Sequence, residues 1–247
     1  YNIQCATNGG YVVDIEGFNN PADMRTLAPF VNNLLEKYDT KINRVVADSG
    51  YESEENYLYL KQNQIEAFIK PSNYELKKTR KYKKDISRKE NMTYCKTDDF
   101  YICHNDKKLE FEKNIYRKNK YGFKSESRVY LCKDCLNCTY SHDCIKFENK
   151  SGLKRIYVAE RFEKLRKESE ENITTKEGIT ERLNRSIQAE GIFSYIKSGM
   201  RYSRFRHRSI EKVIAEMKLL SFSINIKKLG NKMKSNNIGF IKYKEVI

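Results

Sequence analysis

Along residues 1–71 the hydrophobic positions change period several times, and each change marks an element. Tyr1–Thr7 and Tyr11–Phe18 are apolar-rich runs joined by Asn8-Gly9-Gly10, which is the turn chemistry of a β-hairpin. From Pro21 onward Met24, Leu27, Ala28, Val31, Leu34 and Leu35 recur at helical spacing, and proline suits the first turn of a helix. Arg44-Val-Val-Ala is a short β-branched run that ends in Asp48, and Ser49-Gly50 turns the chain at once. Ser53 stands at the cap of a second helix carrying Tyr57, Leu58 and Leu60,. Ile65–Ile69 reads as another short strand, stopped by Pro71. The order strand-strand-helix-strand-helix-strand predicts an α/β fold, a mixed sheet flanked by helices.

The pattern breaks at Ser72. The block to Ser151 has few long apolar runs, alternates aromatics with charge, and holds six of the chain's seven cysteines. Its opening, Leu76–Lys89, carries eight basic residues in fourteen. This block reads as a basic, cysteine-rich insertion. Helical periodicity then returns. Ala159–Asn172 is highly charged, with Glu160/Lys164 and Glu163/Lys167 at i,i+4 supporting a solvated helix,. From Thr180, Leu183, Ile187, Glu190 and Ser194 fall on one face, with Phe193 and Ile196 beside it. A dense basic loop, Arg201–Arg208, precedes a helix that starts at Ser209 and carries Val213, Met217, Leu220, Phe222, Ile224 and Ile226. The Asn/Lys-rich stretch after Gly230 is expected to fray. The predicted organisation is therefore 1–71 and 152–230 as two parts of one core, 72–151 as the insertion, and 231–247 as a tail.

Charge narrows the partners. The 247 residues hold 48 Lys+Arg against 33 Asp+Glu, a net +15. Such an excess favours a polyanion, nucleic acid first, although a lysine-rich compositional bias supplies part of it. No apolar run approaches the length of a membrane span and no signal peptide is visible,. A soluble, cytoplasmic protein with no membrane partner is expected. The chain opens on Tyr1 in mid-pattern, as expected of a fragment that lacks an N-terminal part.

The cysteines point to a metal more than to disulfides. Cys132, Cys135, Cys138 and Cys144 form Cys-x2-Cys-x2-Cys-x5-Cys, and four thiolates at such spacings close a tetrahedral Zn²⁺ site. Cys103 or His142 could replace one of them. An iron–sulfur cluster is the rival, but the last gap is longer than its pattern and no proline follows.

Two isolated acids carry the candidate chemistry. Asp48 closes a strand, where ligand sites of α/β sheets are built. Glu190 lies in Arg185-Ser-Ile-Gln-Ala-Glu-Gly-Ile-Phe-Ser-Tyr-Ile-Lys197. Metal-assisted phosphoryl transfer needs such carboxylates converging on one or two ions. Against that stands the ordinary role of a strand-end Asp, capping the turn that follows. In a regular helix Lys197 lies two turns from Glu190, on the same face, where it can reach a phosphate. Arg201, Arg204, Arg206 and Arg208 supply further phosphate contacts. So can Lys77, Lys78, Arg80 and Lys81 in the basic run, with Tyr82 interleaved, unless that run is a solvated linker.

Val46-Ala-Asp-Ser-Gly-Tyr-Glu-Ser53, Glu55-Asn56 and Ile65–Pro71 resemble the second-aspartate segment of bacterial insertion-sequence transposases of the DDE class. Arg185–Lys197, then Arg204–Arg208 and Glu216–Asn225, are similar to that family's catalytic-glutamate helix and basic tail. Tyr1–Gln4 resembles its second strand, and Asp23-Met-Arg-Thr-Leu with the cysteine-rich insertion resembles one subgroup. The resemblance implies a ribonuclease H-like core in which two aspartates and a glutamate bind Mg²⁺ (or Mn²⁺). The ions serve strand cleavage and transfer on double-stranded DNA at transposon ends, in an assembly expected to be a homodimer. Asp48 would be the second catalytic acid and Glu190 the third. Arg185 and Lys197 would contact the end DNA. The family's first aspartate precedes the segment resembling Tyr1–Gln4. Asp14 and Asp23 are the only early acids that could take its place, and neither stands in the expected motif. The chain alone is accordingly expected to be inactive. The alternatives are a non-catalytic DNA-binding remnant and a ribonuclease H-like metal-dependent nuclease.

Overall fold

The computed structural model describes residues 1–146 and 151–237. The chain divides into two compact units, one formed by Tyr1–Pro71 with Lys167–Ile247 and the other by Ser72–Arg166. Both mix strands and helices.

In the first unit, β1 (Asn2–Asn8) and β2 (Tyr11–Phe18) pair antiparallel, with an irregularity after Ala6. Gly9 and Gly10 both take positive φ at the turn, which a residue without Cβ adopts cheaply. β3 (Arg44–Ala47) and β4 (Glu66–Ile69) pair parallel in register, Arg44 opposite Glu66. The two pairs are not hydrogen-bonded to each other. Where the sequence pattern suggests one mixed sheet, the described strands form two ladders, bridged at their ends by side chains.

α1 (Leu27–Tyr38) and α2 (Glu54–Gln62) follow the predicted spacing and bury Leu27, Phe30, Val31, Leu34, Tyr57 and Leu60. Ser53 caps α2 by accepting the Asn56 N–H at 3.1 Å. α5 (Glu160–Thr174) brings Ser169 to β4, where its hydroxyl accepts the Ile69 N–H at 3.0 Å and lies within bonding reach of the Ala67 and Ile69 carbonyls. These bonds satisfy backbone groups that would otherwise be buried unpaired. Thr175 caps α6 (Lys176–Arg185). At Gly178 a Cβ would stand 2.0 Å from the Asn172 carbonyl oxygen, so only glycine lets α6 start this close to the end of α5. Arg44, at the start of β3, pairs with Glu177 and, at 3.4 Å, with Glu181, tying α6 to the sheet.

α6 runs on into a π turn (Ser186–Glu190), α7 (Gly191–Ser194) and a second π turn (Tyr195–Gly199). Ile192 and Ile196 are buried with Val12 and Ile15 of the hairpin and with Val213, Met217 and Ile224 of α8 (Ile210–Lys234). Leu183 and Ile187, expected on that buried face, are exposed. Ile187 lies in a π turn, which is wider than an α turn, so the stripe read at 3.6-residue spacing loses its register from there on. α8 also passes through Gly230 to Lys234, so the expected fraying does not begin at Gly230. Residues 238–247 of the predicted tail lie outside the described residues. No described helix is long and apolar enough to cross a membrane.

The second unit has a sheet of its own, in the order β5 (Thr93–Cys95), β6 (Phe100–Ile102), β7 (Lys108–Lys118), β8 (Lys124–Leu131) and β9 (Arg155–Val158). Every pairing is antiparallel. Leu109, Tyr130, Ile156 and Val158 bury one side of it together with Cys132 and Cys135. The basic run folds as a 3-10 turn (Leu76–Lys78) and α3 (Arg80–Lys84), not as a linker. Beyond α3, Asp85 accepts from Ser87 N at 3.0 Å and Ser87 Oγ at 2.6 Å, and pairs with Arg88 and Lys146.

Burial alone would raise the Asp85 carboxyl, but Lys146 and Ser87 outweigh it and hold the group well below the usual carboxylate range. A depressed carboxyl stabilises the fold above its unfolded-state pKa, and that contribution is lost as pH falls through the native value. The melting temperature of the second unit is therefore expected to fall as pH drops below about 4. Asp85→Asn should flatten this part of the melting curve against pH. An unchanged acid slope in the variant would contradict the assignment.

Candidate functional site

Two short turns of the first unit meet at Gly50. Asp48 leaves β3 in extended backbone, and its Oδ1 accepts the Gly50 N–H at 2.9 Å, capping the 3-10 turn Ser49–Tyr51. Asp23 begins the other turn, Asp23–Arg25. A Cβ on Gly50 would stand 3.0 Å from Asp23 Oδ2 and 3.1 Å from Asp48 Oδ1. Both carboxylates thus approach one point, and the space there stays open because residue 50 has no side chain.

Asp23 Oδ1 accepts from Asn2 Nδ2 at 2.7 Å and from Gln4 Nε2 at 3.2 Å, which anchors this acid to β1. Tyr51 donates its hydroxyl to Gln4 Oε1. Burial, then the charges of Asp23 and Asp48, raise the Tyr51 phenol well above its ordinary range, so it stays a neutral donor. Asn56, only 2% exposed, holds the two turns together. Its amide donates to the Met24 carbonyl at 2.9 Å and to the Tyr51 carbonyl at 2.7 Å.

Glu190 enters from the π turn. Arg185 spans the gap, with Nη1 3.7 Å from Asp48 Oδ2 and Nη2 3.1 Å from Glu190 Oε1. The two acids singled out in the sequence therefore face one guanidinium. Both remain open to solvent, Asp48 at 49% and Glu190 at 66% side-chain exposure, while Arg185 is at 23%. Gln188 fixes this turn to the hairpin by accepting the Gly10 N–H at 3.1 Å. Lys228 donates to the Gly10 carbonyl, and Asn225 bonds both the N–H and the carbonyl of Val12, at 2.9 and 2.8 Å.

Asp14 stands elsewhere. It is buried and paired with Lys37 at 2.8 Å and Lys218 at 3.6 Å. Of the two early acids, only Asp23 is beside Asp48.

The basic residues are distributed less simply than their spacing suggests. Arg185 is turned onto the two acids, so it meets a phosphate only by leaving them. Lys197 is exposed and lies in the second π turn. Arg201, Arg204, Arg206 and Arg208 are all exposed. Their loop is pinned to α8 through Glu216, which takes the Tyr202 hydroxyl and the Arg206 N–H (3.3 Å) and lies 3.5 Å from His207 Nε2. In the second unit Arg80 and Lys81 are exposed. Lys78 lies over the Tyr74 ring at 4.1 Å and pairs with Glu75. Lys77 is half-buried. Tyr82, expected at the surface among these charges, is 6% exposed, because α3 has one inward position and its only apolar residue takes it. Arg88 stacks on its ring at 4.1 Å.

Five of the six cysteines of the second unit gather around one small cavity of about 20 Å³, lined by Cys103, Cys132, Cys135, Cys138 and Cys144 with His104 and Lys154, while Cys95 lies apart from it. His142 is not among its lining residues. All five thiols are unpaired with one another. As the side chains stand, no group of three His, Cys, Asp or Glu among the described residues is gathered closely enough to hold a metal ion. That applies both to the expected four-cysteine set and to the carboxylates, where Arg185 stands between Asp48 and Glu190.

Asn56, Gln188 and Glu216 had no signal of their own in the sequence. An Asn in the first turn of a helix reads as a local cap, and the other two read as ordinary polar positions of amphipathic helices.

The described residues thus form a mixed α/β protein in which two solvent-open acids meet at one guanidinium. Residues 102–230 match the model of the transposase DDE domain, just over half of the 247 residues, and the chain belongs to that family. The matched stretch includes Glu190, Arg201–Arg208 and the cysteines from Cys103 to Cys144, while Asp48 lies before it. Members of the family act on DNA and generally use divalent metal ions. No curated protein matches the chain, and no solved structure matches it.

Proposed function

We propose that this chain acts in DNA transposition at the ends of a bacterial insertion sequence, in the cytoplasm, and that Asp48 and Glu190 are its catalytic carboxylates. The observation that carries this reading is the Arg185 guanidinium paired with both acids, which are far apart in the sequence yet face one small volume. The donors there are all carboxylate oxygens, the chemistry that Mg²⁺ or Mn²⁺ prefers. Asp48 and Glu190 would hold the cation, and Asp23 is the acid best set to add a third carboxylate across Gly50. When bound, the cation supplies charge stabilisation for the attacking and leaving oxygens of a phosphodiester. Gly50 keeps the approach open, and Asn2 and Gln4 hold Asp23 in place. Arg185 balances the acids until a cation takes over that role, and is then free for a phosphate. The hairpin, the parallel strand pair and the flanking helices support a ribonuclease H-like core.

Incubating the purified chain with supercoiled plasmid carrying the element's ends tests this. With Asp23 supplying the third carboxylate, nicked and strand-transferred products in Mg²⁺ or Mn²⁺, absent with EDTA, are expected, in place of the inactivity that a missing first aspartate would bring. DNA binding with no nicking would favour a non-catalytic remnant, and nicking with no joining would favour a nuclease. The exposed arginines at 201, 204, 206 and 208, with Arg80 and Lys81, are proposed to contact backbone phosphates. Binding to duplex DNA should then weaken steeply with salt, by about 10³-fold or more between 50 and 200 mM if they make six contacts. Affinity unchanged over that range would contradict the contacts.

A further inference from the structure

The second unit has a feature that the transposition chemistry does not use. Its five-thiol cavity draws on three separate pieces of chain. Cys103 follows β6, in the tight loop to β7, where its N–H donates to the Lys107 carbonyl at 2.9 Å. Cys132 follows β8, and its N–H donates to the Lys154 carbonyl at 2.9 Å, beside the start of β9. Cys144 ends the short helix α4 (Ser141–Cys144). The antiparallel register sets Glu110 opposite both Phe100 and Leu131, so Cys103 and Cys132 leave the same end of the sheet. Cys132 and Cys135 are buried in the unit's core, and Cys103 packs against that core with them.

We propose that this cavity is a structural Zn²⁺ site whose ligands are Cys103, Cys132, Cys135 and Cys144, with Cys138 beside it as a non-ligand. Tetrahedral sulfur coordination is the usual form of structural zinc. The cavity is about water-sized,, which suits a single ion. The buried Cys132 and Cys135 and the half-buried Cys103 and Cys144 all line it, and the site requires their side chains to turn inward before the sulfurs meet. Cys132 and Cys135 have the two-residue spacing of a zinc knuckle. The Cys135 sulfur accepts the Lys154 N–H at 3.4 Å, a backbone donor suited to a thiolate. Cys103, distant in sequence, supplies the second side of the site. Cys144 is preferred to Cys138 because it is fixed next to a cation. The Lys154 ammonium donates to the Cys144 carbonyl at 2.8 Å and to the Ser87 carbonyl at 2.7 Å. Four thiols binding one Zn²⁺ release four protons and leave a net charge of −2, part of which that ammonium offsets. This site is independent of the transposition reading. Its failure would leave the Asp48–Glu190 pair untouched.

The test uses the purified full chain. Elemental analysis should find about one zinc per chain, and cobalt substitution should give the ligand-field and charge-transfer bands of a tetrahedral four-thiolate site. Cys103→Ser, Cys132→Ser, Cys135→Ser and Cys144→Ser should each weaken zinc at least tenfold in competition with a chromophoric chelator, while Cys138→Ser and Cys95→Ser retain it. A chain free of metal after growth in zinc, iron in place of zinc, or full retention of zinc by Cys103→Ser would overturn the proposal. If the ligand variants fail to fold, the cobalt spectra of the parent chain and of Cys138→Ser decide it, since both must show four thiolates.

Discussion

Asp48→Asn and Glu190→Gln are each expected to abolish the proposed metal-dependent nicking, with a loss of more than about a hundredfold, the cost of losing even an outer-shell partner of a catalytic metal. Both changes are isosteric. The amide oxygen that Asp48→Asn leaves in place can still accept the Gly50 N–H that caps the turn, and Glu190 makes its described bond to Arg185 at an exposed position. Melting temperatures should therefore stay close to that of the parent, and the loss is one of negative oxygen ligands. Asp14→Asn is the informative control. Asp14 is buried beside Lys37 and Lys218, so its change lowers stability through the lost Lys37 pair, while Lys218 keeps Glu16 at 3.1 Å and the acids at Gly50 are untouched. Nicking that persists in the folded Asp48 and Glu190 variants would rule out their catalytic role.

The second large effect is on stability. Asn56→Leu is expected to cost about 1–3 kcal/mol, because two part-buried carbonyls, those of Met24 and Tyr51, lose their donor while the side-chain branching is kept,. The damage falls on the two turns that carry Asp23 and Asp48. Denaturant unfolding measures it directly, as a lower midpoint at unchanged slope. A cost below about 0.5 kcal/mol, the ordinary range for surface positions, would mean that Asn56 does not tie the turns together.

Part of this site could be read in the sequence. A β-branched run ending in Asp48 with Gly50 next but one is a local signal, and so is Glu190 among arginines and a lysine. Their meeting is not local. It depends on Arg44 holding α6 to β3, on Gly178 letting α6 start close to α5, and on Gln188 bonding the hairpin turn. The π turns at Ser186–Glu190 and Tyr195–Gly199 leave no mark, because no Pro marks them and the residues within them suit an α-helix. Ile187, within the first of them, is exposed. Asp23 looked misplaced because its position beside Asp48 comes from Asn2, Gln4 and Asn56, none of which is near it in the chain. The cysteine cluster was visible as spacing, but the nearness of Cys103 depends on strand register. Tyr82 was hidden by the charges around it.

The central claim is that Asp48 and Glu190 hold one cation together, and Mn²⁺ titration of the chain followed by electron paramagnetic resonance tests it most directly. The account predicts saturable binding by the parent chain, weakened at least tenfold by Asp48→Asn and by Glu190→Gln alike, with the double variant little worse than either. Equal Mn²⁺ affinity in the parent and both single variants would contradict it.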